Sequence, residues 1–167
     1  MDLRAELVSR LRGRTCVVGV GNTDLGDDGV GVRLVEGLGT NGRADVLNAG
    51  TTPEAHMGRL LAGEYDDVLF VDAVEFDAEP GSVALLGGSE VQARFPQVST
   101  HKISLGALAA MIERGTRARV WLLGVRPRTL RQGGGLSEPV ERARVILAGL
   151  LSDVLTAAAL PAVNGIS

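Results

Sequence analysis

Three acids and one imidazole are the side chains in this sequence best suited to chemistry. Asp27 and Asp28 follow one another in the segment Gly19-Val20-Gly21-Asn22-Thr23-Asp24-Leu25-Gly26-Asp27-Asp28-Gly29-Val30-Gly31. Asp72 closes the apolar run Val68 to Val71, and His101 stands in Ser99-Thr100-His101-Lys102. A carboxylate within a buried strand is costly unless it is paired, hydrogen-bonded or metal-bound. Two carboxylates and one imidazole make a three-ligand divalent site with open positions, suited to Zn, Ni, Mn or Fe. Each residue also has a plainer reading. One of Asp27 and Asp28 is expected to N-cap the following helix, leaving the other as a ligand. Asp72 could equally be a structural acid accepting backbone N–H groups. His101 could be an ordinary loop or helix-start histidine. Its weight comes from emerging at the same sheet edge as the acids.

Other chemistries are absent. The glycine loop is not a dinucleotide fingerprint, because Asp24 stands where the third glycine belongs. Its three acids would also repel a pyrophosphate. There is no Gly-x-Ser-x-Gly elbow and no Walker loop. Cys16, the single cysteine, falls within an apolar strand and reads as an inert hydrophobe. His56, the other of two histidines, reads as a solvated helix residue.

The elements that must position these groups alternate in type. Thr15–Val20, Ala44–Leu47, Asp67–Val74, Ser82–Leu86 and Arg119–Val125 read as strands. Helices are expected over 2–12, 30–38, 52–61, 103–112 and from Ser137, as N-cap, to about Ala158. The turn Glu79-Pro80-Gly81 is too brief for a parallel crossover, so the fourth strand should run antiparallel to the third. This pattern implies an α/β fold: a three-layer α/β/α sandwich around a mixed five-stranded sheet, mostly parallel with one antiparallel strand. In such sheets ligands bind at the carboxyl ends of the strands, where the acidic loop, Asp72 and His101 should meet.

Composition narrows the class. The 167 residues suit a single domain, 1–167, with a core of about 14–158 and a frayed tail from Leu160. Hydrophobic residues are 45% and charged residues 22%, which argues against disorder. A net charge of −3 gives no reason to expect nucleic acid or a membrane surface as partner. No apolar run approaches a membrane span, and the first residues lack a signal-peptide pattern, so a cytoplasmic location is expected.

Taken together, the blocks resemble the maturation endopeptidases of nickel–iron hydrogenases, a phosphorylase/hydrolase-like fold. The blocks are Gly19-Val20-Gly21-Asn22, then Leu25, then Asp27-Asp28-Gly29-Val30-Gly31, followed by Gly50-Thr51-Thr52-Pro53-Glu54. Val71-Asp72-Ala73, Ser99-Thr100-His101, Gly124-Val125-Arg126-Pro127 and Leu136-Ser137-Glu138-Pro139-Val140 complete the set in order. The family position at Asp28 is often Glu, so the reach of this ligand is shorter here. The resemblance implies a single cut near the C-terminus of a hydrogenase large subunit precursor after nickel insertion. It maps the metal-contacting, catalytic set onto Asp28, Asp72 and His101. The nickel is expected to come with the substrate, and other divalent metals are expected to substitute in the free protein. Asn22, Asp27, Gly50 and Thr51 are expected to shape the loop or meet the substrate tail. The competing readings are a non-catalytic nickel-centre assembly protein of the same fold and a receiver-like domain using Asp27, Asp28 and Asp72. The second expects a lysine where Arg126 stands.

Overall fold

The structure, a computed structural model, describes residues 2–39, 44–94 and 104–157. Five strands form one sheet in the order β2-β1-β3-β5-β4. They are β1 (Thr15–Val20), β2 (Ala44–Gly50), β3 (Asp67–Ala73), β4 (Val83–Gly87) and β5 (Arg119–Val125). The first three and β5 are parallel neighbours, and β4 pairs antiparallel with β5. The direction of β4 is as expected, but its neighbour is β5 and not β3. The chain leaving β3 crosses the end of β5, where Val74 N–H donates to Val125 O (3.0 Å) and Gly81 N–H to Arg126 O (2.8 Å). It then turns back along the outer side of β5.

Side chains alternate across a strand, so each central strand feeds two cores. Val18, Val68, Phe70 and Leu122 pack on one face, beneath α3 (Met57–Ala62), α4 (Gly88–Arg94) and α5 (Leu105–Gly115). Val17, Leu69, Val71 and Leu123 pack on the other, beneath α1 (Leu3–Arg10), α2 (Val30–Glu36) and α6 (Glu138–Ala157). The central strands β1 and β3 are buried along almost their whole length, which explains why they read as unbroken apolar runs. Phe70 is fully enclosed, and burying such a side chain contributes about 1.5–3 kcal/mol.

Helix starts follow local chemistry. Asp2 caps α1 by accepting from Ala5 N (2.8 Å), and Ser104 caps α5 by accepting from Ala107 N (3.1 Å). Ser137 O accepts from Glu141 N to begin α6 (2.8 Å). The expectation that Asp27 or Asp28 caps α2 is not met: Gly29 precedes α2, and no side chain caps it. Both acids lie inside a 3-10 turn, Gly26–Gly29, and are committed elsewhere. The expected frayed tail from Leu160 lies outside the described residues. Among the described residues, no helix is long and apolar enough to cross a membrane.

Candidate active site

The carboxyl edge of β1 and β3 carries the site, and glycine makes it possible. Gly21 follows β1 at φ +139°, and a Cβ there would sit 1.8 Å from Asp28 O. A Cβ on Gly31 would sit 2.0 Å from Val71 O and 2.6 Å from Val20 O. Backbone therefore rests directly on backbone at both points. The effect is to press the 26–29 turn against β3 and to set Asp28 beside the strand whose last two residues are Asp72 and Ala73.

Asp28 and Asp72 are each 7% exposed. Asp28 Oδ2 accepts the Asn22 N–H at 2.9 Å, and its other oxygen accepts no hydrogen bond among the described residues. Asp72 Oδ1 accepts the Ala73 N–H at 2.8 Å. Asn22 ties the loop down locally, its Oδ1 accepting from Asp24 N at 2.9 Å. Two nearly buried carboxylates at one sheet edge form an oxygen donor set of the kind that suits a divalent cation. Among the described residues, no three His, Cys, Asp or Glu side chains come together as a metal-ion cluster. The third expected ligand, His101, lies outside the described residues.

Asp27 does something different. It is fully buried, and its carboxylate grips a segment more than a hundred residues away. Oδ1 accepts from Ser137 N (2.7 Å). Oδ2 accepts from Ser137 Oγ (2.8 Å), Arg128 N (2.8 Å) and Thr129 N (3.1 Å). Its own N–H donates to Thr129 O (3.0 Å). Burial pushes this carboxyl up, but the Ser137 backbone and hydroxyl donors, with the Arg128 and Thr129 N–H groups, outweigh it. They hold the group below the ordinary carboxylate range. Asp27 is thus an ionised peg for the 126–137 loop, and its oxygens face protein, not solvent. That leaves it unsuited to the phosphate-accepting trio that a receiver domain requires.

Gly50 and Thr51 meet Gly21, Asn22 and Thr23 around a cleft of about 300 Å³, with Asn48, Val32 and Glu36 completing its wall. So three residues expected near the substrate, Asn22, Gly50 and Thr51, line one cleft. Of the partners of Asp27, Arg128 and Thr129 carry no sequence signal, and Ser137 is expected only as an N-cap within a family block. Asn48 and Glu36 had no motif at all.

A family model described as hydrogenase maturation protease (HycI) matches residues 30–152. The hydrogenase 2 maturation protease of Escherichia coli is 32% identical over 136 residues, covering 77% of this chain and 82% of that protein. A Methanocaldococcus jannaschii protein with a provisional hydrogenase-maturation-protease name is 31% identical over 78 residues. That match spans 45% of this chain and only 51% of its length. The crystal structure of a [NiFe] hydrogenase maturation protease from Thermococcus kodakarensis superposes with a TM-score of 0.82 at 29% identity. It covers 90% of this chain and 99% of that one.

Proposed function

The chain belongs to the hydrogenase maturation protease family, and from that premise we propose that it removes a C-terminal peptide from a nickel–iron hydrogenase large subunit precursor. The precursor carries its nickel when it is cut. The observation that carries this reading is the pair Asp28 and Asp72. Two carboxylates, each 7% exposed, sit at one sheet edge, where glycine-to-backbone contacts press the loop against the strands.

In this reading Asp28 and Asp72 offer oxygen ligands to the substrate's nickel, and His101 adds a nitrogen. The nickel-bearing end of the precursor is thereby seated against the sheet edge. The metal acts there as a Lewis acid toward the scissile carbonyl or a water. Asn22 holds one oxygen of Asp28 through its N–H and fixes the direction of that ligand. Asp27, through the 126–137 loop, fixes the turn from which Asp28 projects. No separate nucleophile is needed, in keeping with a sequence that lacks one. The protein works where its substrate is assembled, in the cytoplasm, without nucleic acid or membrane.

The reading is tested with Asp28→Asn, Asp72→Asn and His101→Ala. Each should lose cleavage of the nickel-loaded precursor while keeping the wild-type circular dichroism spectrum. Retained cleavage in all three would remove the proposed site.

A further inference from the structure

We infer that the cleft between α2 and the end of β2 holds the precursor's C-terminal segment as an extended chain. Glu36 selects a basic side chain there. The inference rests on the function proposed above and identifies how its substrate is gripped.

The cleft begins at the site. Asn22, whose N–H binds Asp28, lines it together with Gly50, Thr51, Asn48 and Glu36. At Gly50 the wall is bare backbone, with nothing within 4 Å of where a Cβ would stand, which allows another main chain to approach closely. The polar inventory suits a peptide. Asn22 and Asn48 each spend the side-chain oxygen on a local N–H, from Asp24 and Gly50 respectively. Their amide nitrogens have no acceptor among the described residues, so both can donate to peptide carbonyls. β2 is an edge strand of the sheet, a place where extended chains dock.

The charge at the far end is specific. Glu36 also lines a second cleft, about 420 Å³, shared with Arg33, Leu136, Glu141 and Arg144. Glu141 is already taken by a two-point pair with Arg144, at 2.7 and 2.6 Å. Among the described residues, Glu36 has only Arg33 at 3.7 Å, beyond hydrogen-bond distance, and both side chains are close to half exposed. Glu36 is therefore the acid at this junction with acceptor capacity to spare. A Lys or Arg of the bound segment would fill it.

The experiment has two readouts. Initial rates are measured on the nickel-loaded precursor encoded with this protein, and anisotropy is measured on a fluorescein-labelled synthetic peptide of its C-terminal tail. Glu36→Gln should raise KM about 2- to 5-fold with kcat unchanged, the scale of an exposed ion pair. Glu36→Lys should raise it further, about 10-fold, and changing the basic tail residue to Glu should restore it. The peptide should bind the wild type more tightly than Glu36→Lys, and added salt should narrow the gap. Unchanged KM and unchanged peptide affinity in both variants would overturn the inference, as would a tail with no basic residue. If the wild type binds the peptide through Glu36 yet cuts no precursor, the docking inference stands and the protease reading falls.

Discussion

Removing the Asp27 carboxylate should loosen the loop that braces the site, and the size of the effect follows from four hydrogen bonds. Asp27→Ala takes from the N–H groups of Arg128, Thr129 and Ser137 the fully buried carboxylate that accepts them. Charge-assisted bonds contribute about 1.5–3 kcal/mol each in isolation, but bonds to one group are not additive and water can enter the gap. A donor left unsatisfied costs about 1–3 kcal/mol, so loss of the partner of three N–H groups, partly relieved by water, sets an expected destabilisation of about 3–5 kcal/mol. For a chain of this length it lowers Tm by about 6–20 °C. Asp27→Asn should cost less, about 1–3 kcal/mol. Its amide oxygen can replace Oδ2, which accepts three bonds, leaving only the Ser137 N–H opposed by an amide nitrogen. The assay is urea unfolding from pH 8 to pH 2.5. Because the folded-state pKa lies below the ordinary value of 3.8, the ionised group stabilises the fold above that value. The contribution is lost as pH falls through the lower, folded-state pKa. The gap between wild type and Asp27→Ala should be constant from pH 8 to about pH 5 and shrink toward the acid end. A gap below about 1 kcal/mol at pH 7, or one that ignores pH, would refute the peg.

Two further outcomes are expected. Gly31→Ala drives a methyl into Val71 O and Val20 O and should cost about 3 kcal/mol or more. It should also cut precursor cleavage more than a core substitution of equal cost placed far from the site, such as Leu7→Ala. Cys16 is fully buried, and desolvation pushes its thiol up to about 11. It should resist Ellman's reagent at pH 8 until denaturant is added, and fast native labelling would contradict this burial.

Much of the fold was legible because its signals are local. Val17, Val18 and Phe70 lie in runs that only a strand buried on both faces tolerates, and the bounds of β1 and β5 were read correctly. Helix α4 escaped notice because Val91 is its only fully buried large side chain, so no periodicity marks it. The partner of β4 was hidden for another reason. A short turn dictates direction, whereas the choice of β5 depends on where a strand more than thirty residues later inserts. The site divides in the same way. Asp28 and Asp72 were readable as acids out of place, one in a glycine loop and one in an apolar strand. Asp27 looks identical to Asp28 in sequence. What separates them is a loop from Arg128 to Ser137 that reaches only one of the two. Glu36 carries no sequence signal, because an exposed acid on a short helix is ordinary until a cleft is found beside it.

In the proposed function, the carboxylate edge of this sheet serves a nickel-dependent cut. Intact-mass spectrometry of the co-encoded large subunit precursor, incubated with this protein with and without its nickel, tests it most directly. The nickel-loaded form should lose one C-terminal peptide and the nickel-free form should stay whole. A nickel-loaded precursor that keeps its full mass, or equal cleavage of both forms, would contradict the account.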